Sequence, residues 1–442
     1  MTDTSPRFPS ELLDLFIDTL GERPITESRH STLATCSLVS RSFAHRSRRH
    51  TFYRVDTDLS FHRRGTETEY LTTFYELLTW TSSSSGEGGL TGIAPYIKQF
   101  RCWYDLGDGA EVEGLLAVIF QCLHGPEHGI TLLDVAFNTS WKELGLGLRH
   151  ALADLFRSPC LATLHITITT DLPRTLLIGS HIKHLLLYWC RLDDAPAPLR
   201  YSPRYPTVRN AHPQLETLDL EPCWSSAALL VNEDTGKEGP QGSALSALRV
   251  FKCCLRGFAD FDSVVAILPR VENTVEYLKV HYGDSALWLD RPTSFDFTEM
   301  RKLHHLAIHL DMTPNLPLFF PNATNSDFFP IPRVPPNLLR LDVVLRALSR
   351  ASPEGVSKAF FNSFTEPSEV ERWSRLNRAL SSSEFAGVKE VVVTLQFSST
   401  MVHVFLDETA RFVGRADASL RAVLSHFQEP KTLKSLSIKV QF

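Results

Sequence analysis

The sequence predicts an α/β protein, in which a small N-terminal helical module precedes an irregular solenoid of repeats with a parallel β-sheet. Two observations predict this class. Residues 8–52 carry apolar side chains at helical spacing, whereas a motif of three apolar residues typical of a short buried strand recurs along the rest of the chain. We therefore divide the chain into a helical module at 1–55, a helical linker at 56–93 and a repeat body at 94–442.

Composition argues against several classes of partner. The chain has 45 Lys and Arg residues against 50 Asp and Glu residues, and its net charge of −5 is too small and too evenly spread to suggest nucleic acid or an anionic membrane. No apolar run approaches the length of a membrane span. The N-terminus has acidic residues and a proline where a signal peptide has a basic start and an apolar core. We therefore expect an intracellular protein, in the cytoplasm, the nucleus or both.

The eight cysteines lie in apolar segments, and no two of them form a Cys-x-x-Cys pair. This usage is typical of small core residues in a reducing compartment, and not of a disulfide framework or a zinc site. The cysteines are Cys36, Cys102, Cys122, Cys160, Cys190, Cys223, Cys253 and Cys254.

The first helix of the module is predicted from its ends as well as from its apolar stripe. Pro9 suits the first turn of a helix, where its missing N–H is not needed, and apolar residues recur at helical spacing from 12 to 20. Gly21 and Pro24 then end the helix, because glycine favours the C-terminal cap and proline cannot continue the hydrogen-bond ladder.

A second apolar stripe runs from Leu33 to Phe43, with Ser31 or Thr32 as its predicted N-cap, and a basic turn follows it. The polar residues 21–30 are then predicted to form a connection longer than a tight turn. Helices this short are marginal on their own. Their apolar faces must therefore pack on one another, on the repeat body or on a partner.

Three short motifs follow one another in this module: Phe-Pro-x-Glu-Leu at 8–12, Leu-x-x-Cys-x-x-Val at 33–39, and the aromatic residues at 43 and 52. Together they resemble the F-box, and most closely the divergent F-box-like proteins of mushroom-forming fungi, although Phe8 stands where leucine is usual. The resemblance implies a three-helix module that docks on the Skp-type adaptor of a cullin–RING ubiquitin ligase. The adaptor-binding residues that it implies are Phe8, Pro9, Leu12, Leu13, Phe16, Leu33, Val39 and Phe43.

The repeat motif is an aliphatic residue, two others, a second apolar residue, one other and a third apolar residue. In a strand, the second and third apolar residues point inward, and stacked units then share a continuous core. Two copies, ending at Cys190 and Cys223, extend to the full leucine-rich signature. The copies lie at 97–102, 130–135, 161–166, 182–187, 215–220, 248–253, 275–280, 303–308, 338–343, 388–393 and 433–438.

Successive copies start 21 to 50 residues apart, so the body resembles a degenerate leucine-rich-repeat array with insertions. Helices are predicted in the linker at 66–80 and between strands at 112–123, 144–156, 261–268, 370–380 and 407–427. Residues 82–89 read as a flexible loop. Proline-rich insertions at 193–213 and 311–337 interrupt the array.

No catalytic motif is present. The sequence lacks His-Glu-x-x-His, Gly-x-Ser-x-Gly and a phosphate-binding loop. His305 and His309 share one face of a predicted strand, but they are about 13 Å apart by the rise per residue, which is too far to hold one metal ion. We expect both to be exposed, and we expect no metal, no cofactor and no enzymatic activity.

The concave face of such an array is lined by residues that flank the second apolar position. Aromatic, basic and acidic side chains on one extended surface suit protein recognition, although any one of them could equally be a solvated strand position. The candidates for target binding are Arg101, Trp103, His165, Tyr188, Asp219, Lys252, Lys279, His305 and Arg340.

Our hypothesis is a substrate-recognition subunit of a cullin–RING (SCF-type) ubiquitin ligase, which binds the adaptor with its N-terminal helices and a target protein with its repeat body. The alternative is a non-catalytic scaffolding protein whose N-terminal helices only cap the solenoid. A third possibility is an F-box protein that binds its adaptor but no cullin. Exposure of Leu12, Leu13, Val39 and Phe43 separates docking from capping, because a cap buries them against the body.

Overall fold

The structure is a computed structural model. It divides into two compact units, Met1–Leu185 with Leu192–Pro213, and Leu186–Arg191 with Gln214–Phe442. The residues that it describes are 10–22, 26–59, 66–80, 92–105, 109–124, 129–193, 214–220, 244–283, 295–312, 333–347, 385, 387–397, 418 and 435–441.

The first unit begins with three helices that pack on one another. They are α1 (Ser10–Gly21), α2 (Glu27–Ser37) and α3 (Arg41–Thr51). Each helix contributes one buried apolar side chain, and these are Ile17, Leu33 and Ala44. The predicted end of the first helix at Gly21 is confirmed.

The predicted start of the second helix was wrong. The N-cap of α2 is Thr26, whose hydroxyl accepts a hydrogen bond from the Arg29 amide at 3.2 Å, and Ser31 and Thr32 lie inside the helix. Residues 27–30 therefore belong to α2 and not to a long polar turn. The apolar pattern misses this first turn because its residues, Glu-Ser-Arg-His at 27–30, are all polar.

The stripe from Leu33 to Phe43 also belongs to two helices and not to one. It is interrupted after α2 by Leu38 and Val39, and Ser40 then caps α3 by accepting a hydrogen bond from the Phe43 amide at 3.3 Å. A local side-chain cap has therefore overridden a continuous apolar pattern.

The sheet of the first unit is parallel, and its strands are neighbours in chain order. Its strands are β1 (Arg54–Asp58), β2 (Gln99–Trp103), β3 (Leu132–Ser140) and β4 (Thr163–Thr170). The helices α4 (Glu67–Thr79), α5 (Gly109–Cys122) and α6 (Leu146–Phe156) connect them, with α4 packed on α5 and α5 on α6. Short 3-10 helices occur at Ala94–Tyr96 and Arg174–Leu177.

Three further strands complete this part of the chain. The two-residue strands β5 (Leu172–Pro173) and β7 (Leu192–Asp193) pair in parallel. Strand β6 (His184–Tyr188) lies across the division between the units. The sequence did not predict β1, β5 or β7, because none of them carries the three-residue apolar motif.

The second unit has another run of parallel strands that pair in chain order. They are β8 (Thr217–Leu220), β9 (Val250–Leu255), β10 (Tyr277–Tyr282), β11 (His305–Met312), β12 (Arg340–Ala347), β13 (Glu390–Phe397) and β14 (Ser435–Gln441). Helix α7 (Phe258–Val271) connects β9 to β10.

All eleven copies of the motif coincide with a strand, and in each copy the strand begins two residues after the first apolar position. The second and third apolar positions form buried rows across neighbouring strands. Phe251, Leu278 and Leu306 are in register in the second unit, and all three are inaccessible to solvent. The α/β class and the parallel sheet are confirmed because a period of two puts these positions on one face.

The described helices α4 to α7 confirm four of the predicted ones within a few residues. The predicted loop at 82–89 and the predicted helices at 370–380 and 407–427 lie outside the described residues, apart from Ala418, and so does most of both proline-rich insertions. Among the helices that the structure describes, none is both long and apolar enough to cross a bilayer.

Candidate functional site

Among the described residues of the N-terminal module, from α1 to α3, five large apolar side chains are exposed, although the module buries an apolar core of its own. We call them the exposed apolar set. Leu12, Leu15 and Phe16 lie on α1, and Leu38 and Val39 lie between α2 and α3; their exposed fractions are 53%, 61%, 54%, 87% and 67%. Helix α1 has more apolar side chains than one buried stripe can hold. Ile17 packs in the core of the module, whereas Leu12, Leu15 and Phe16 lie outside this stripe and are exposed.

The predicted adaptor-binding residues therefore separate into three groups. Leu12, Phe16 and Val39 are exposed, and Leu13 and Phe43 are half-buried. Phe8 and Pro9 lie outside the described residues. The assignment of Leu33 needs correction, because its side chain is fully buried within the module and is not available to a partner. Sequence reasoning omitted Leu15 and Leu38, which belong to the same apolar stripes.

Ion pairs fasten α1 to α3. Asp18 accepts hydrogen bonds from Arg46 Nε at 2.9 Å and through its second oxygen from Arg46 Nη2, and it lies 2.8 Å from His50 Nε2. Asp14 pairs with Arg46 Nη1 at 2.7 Å. The hydrogen bonds from Arg46 and His50 hold the pKa of Asp18 well below its usual range.

Helix α3 also contacts the remainder of the first unit. The His45 and Tyr96 rings meet edge to face with centroids 5.2 Å apart, and the Arg48 guanidinium lies 6.0 Å from the centre of the Trp80 ring. These contacts attach the helices to the unit through side chains that are not members of the exposed apolar set.

In the first unit, three candidate target-binding residues lie together on the face of the sheet opposite the buried rows. Arg101 Nε donates to Asp134 Oδ2 at 2.8 Å, and the Arg101 guanidinium lies 5.4 Å from the centre of the Trp103 ring. His165 Nδ1 is 4.0 Å from the same Asp134 oxygen. Arg101, Asp134 and His165 line a pocket of about 170 Å³.

In the second unit, most of the candidate target-binding residues form ion pairs. His305 Nε2 lies 2.9 Å from Asp342, and Arg340 binds both Asp342 and Glu390. Burial raises the pKa of Asp342, but the hydrogen bonds from His305 and Arg340 outweigh burial and hold this pKa below its usual value. His305, Arg340, Asp342 and Glu390 on these strands are therefore already paired with one another.

The prediction that Asp219 contacts a target needs correction. Its carboxylate is buried, at 5% exposure, and pairs with Lys252 Nζ at 2.8 Å, so it positions Lys252. Lys279 is half-buried. Tyr188, at the end of β6, remains 37% exposed and contacts Trp189 edge to face.

The expected exposure of His305 and His309 is also corrected. Both are only partly accessible, and His309 Nδ1 is buried without a hydrogen-bond partner among the described residues. Burial, and then the charges of Lys279 and Arg346, lower the pKa of His309 to about 3. Within the described part of the chain, no three His, Cys, Asp or Glu side chains are arranged to hold a metal ion.

The seven cysteines that the structure describes are free thiols. Cys102, Cys190, Cys253 and Cys254 are buried, and burial raises the pKa of Cys102 to about 12. Cys160 differs from the prediction, because its side chain is exposed at the loop before β4.

No protein-family model matches this sequence, and a search of curated proteins also finds no match. The functional assignment therefore depends on the residues and their geometry.

Proposed function

We propose that this protein is a substrate-recognition subunit of a cullin–RING ubiquitin ligase of the SCF type. In this proposal the N-terminal helices form an F-box-like module that binds a Skp-type adaptor, and the strands form a leucine-rich-repeat-like solenoid that binds a target. The observation that carries the proposal is the exposed apolar set on a helical module whose own core is already closed. Large apolar side chains in such a position are typical of a surface that a partner covers.

Exposure favours docking over capping. A cap would bury Leu12, Leu13, Val39 and Phe43 against the body, yet Leu12 and Val39 are exposed and the other two are only half-buried. Helix α3 makes its contacts with the unit through His45 and Arg48 instead. This arrangement supports a module that is attached on one side and available to a partner on another.

The sheet supports the second part of the proposal. Each apolar motif contributes one parallel strand, and the strands pair in chain order within each unit, as repeats do when they stack on their neighbours. A receptor of this kind performs no chemistry itself. It raises the effective concentration of the target's lysine side chains near the charged ubiquitin-transfer enzyme.

The proposal is tested by co-expressing the full chain with a Skp-type adaptor and measuring their association by size-exclusion chromatography and calorimetry. We expect a complex with wild type and at least about a tenfold loss of affinity for each of Leu12→Asp and Val39→Asp, because each removes an apolar contact and brings a charge into the interface. Val265→Asp is the matched control, since Val265 is 44% exposed on α7 in the other unit.

The circular dichroism spectra of the variants should match that of wild type, because both substituted side chains are exposed. If both folded variants bind the adaptor as well as wild type does, or if wild type does not bind it, the docking assignment is wrong and the scaffolding alternative gains.

A further inference from the structure

Several side chains with hydrogen-bond donors line the pocket in the first unit. The pocket lies on the face of the strands that Gln99 and Arg101 share, because these residues alternate along β2 with the buried Phe100 and Cys102. Phe100 and Leu132 contribute the apolar part of its lining. The polar side chains that line it are Arg54, Asp56, Gln99, Arg101, Asp134 and His165.

The Arg101 side chain is held in position, but only some of its N–H donors form hydrogen bonds. Its Nε is bound to Asp134, and its guanidinium is held near the Trp103 ring, an arrangement in which a cation is attracted to the ring face. Neither of its Nη atoms has a hydrogen-bond partner among the residues that the structure describes. Arginine has five N–H donors, so the planar Nη edge of a positioned guanidinium remains available at the pocket.

Arg340 in the second unit is an arginine whose Nε and both Nη atoms have hydrogen-bond partners. Its Nε and Nη2 donate to the two oxygens of Asp342 at 2.8 and 3.3 Å, and its Nη1 donates to Glu390 at 3.3 Å. Both arginines are about equally exposed, with side-chain values of 39% for Arg101 and 37% for Arg340. The difference between them is therefore in pairing and not in accessibility.

The acidic groups of the pocket already have cationic partners. Asp56 Oδ1 pairs with Arg54 Nε at 3.2 Å, as Asp134 pairs with Arg101. The Nη atoms of Arg54 and the side-chain amide of Gln99 likewise lack hydrogen-bond partners among the described residues. Unused donors therefore outnumber unused acceptors, and the two arginines and two aspartates cancel in formal charge. A planar group with one negative charge fits this balance better than a doubly charged phosphate does.

We propose that this pocket binds a carboxylate of the target polypeptide, with Arg101 as the two-pronged donor and Trp103 as the platform that orients it. The inference rests on the proposed function, and it names the chemistry of the target that this receptor takes. The carboxylate belongs either to an acidic side chain or to a chain terminus. Both groups present the same planar arrangement of two oxygens to Arg101. The exposed part of the Trp103 ring is available to the residue beside that carboxylate.

The test measures fluorescence anisotropy of labelled short peptide pools with the full chain. One pool has a central glutamate and an amidated end, a second has glutamine and a free terminal carboxylate, a third has glutamine and an amidated end, and a fourth has phosphoserine. We expect one carboxylate pool to bind about tenfold more tightly than the uncharged pool. The pool that does so shows whether the pocket binds an acidic side chain or a chain terminus.

Arg101→Gln should abolish this preference, and Arg101→Lys, which retains the charge beside Asp134, should lose most of it because lysine cannot bind two oxygens in one plane. Arg340→Gln is the matched control and should keep the preference. Equal affinity for all pools, a stronger preference for phosphoserine, or an equal loss in Arg340→Gln would overturn the proposal.

Adaptor binding separates this proposal from the previous one. Arg101→Gln should bind the adaptor as wild type does, whereas Leu12→Asp should keep the preference for carboxylate pools. A wild-type chain that prefers carboxylates but binds no adaptor refutes only the ligase assignment. A chain that binds the adaptor without preferring carboxylates refutes only the pocket assignment.

Discussion

At the scale of single residues, Asp18 shows how two helices of modest length are held together. Arg46 and His50 are four residues apart on α3, so both face the same carboxylate of α1. Their hydrogen bonds place the pKa of Asp18 below its usual range. These interactions of Asp18 therefore stabilise the folded state at pH values above the ordinary aspartate pKa. Their contribution is lost progressively as the pH falls from that value through the lowered pKa.

We expect Asp18→Asn to weaken the attachment of α1 by roughly 1 kcal/mol at neutral pH, a value already reduced for the partial exposure of the pair. Hydrogen exchange followed by mass spectrometry should show about fivefold faster exchange in α1 at neutral pH. The difference should shrink as the pH falls below the ordinary aspartate pKa, because the carboxylate released when α1 opens is then protonated, and it should vanish once the pH passes the lowered pKa of the paired Asp18.

Glu11→Gln is the control for this substitution, since it removes the same charge from the exposed first turn of α1. Equal effects of the two substitutions would mean that the charge of α1, and not the contact with α3, determines its protection.

The cysteines give a second test at the residue scale. Cys102 is inaccessible, and burial raises its thiol pKa to about 12, so little of the reactive thiolate forms near neutral pH. Iodoacetamide should therefore modify Cys160 in the native protein, and Cys102 only as the sheet unfolds. Peptide mapping at increasing urea concentrations checks this, and alkylation of both at equal rates without urea would contradict it.

At the scale of elements, strands were easier to predict than helix ends. A strand needs only its alternating apolar positions, which are local, and the motif placed all eleven strands correctly. The start of α2 depends instead on the hydroxyl of Thr26 and on packing against α3, neither of which appears in the apolar pattern. Strand β1 was missed because it lacks the three-residue apolar motif, although it pairs in parallel with β2.

The position of the α2 cap predicts opposite signs for two similar substitutions. Thr26→Ala should destabilise α2 by about 1 kcal/mol, because it removes the acceptor for the Arg29 amide. Thr32→Ala should stabilise the helix by about 0.5 kcal/mol, since alanine has the higher helix propensity in a helix interior.

Hydrogen exchange in α2 measures both effects. A larger loss of protection in Thr32→Ala than in Thr26→Ala would place the cap where the sequence first suggested it.

At the scale of the whole molecule, each strand contacts mainly the strands beside it, because the strands of each unit pair in chain order. In the proposed solenoid, stability is approximately the sum of the stabilities of single repeats and of the contacts between neighbouring repeats. Phe251 is fully buried, in register with Leu218 on β8 and Leu278 on β10. Removal of the Phe251 side chain should therefore lower local stability most in β9 and its neighbouring strands.

We expect Phe251→Ala to cost about 3–5 kcal/mol and to raise hydrogen exchange in β8, β9 and β10 more than in β13 of the same unit. A uniform loss across these strands would instead indicate one cooperative core and would argue against a solenoid. Val118→Ala, on an exposed position of α5, is the control and should leave exchange in β9 unchanged.

The sequence by itself determined the α/β class, the position of every motif strand and the presence of helices before the first strand, because these follow from the spacing of apolar residues along the chain. Only the tertiary structure decided that Leu33 is core while Leu12 and Val39 are exposed. It alone distinguished Arg101, with an unused edge, from Arg340, whose partners come from its own strand and the next. Burial and pairing depend on the register of segments about 30 to 50 residues apart in the chain, which apolar spacing does not encode.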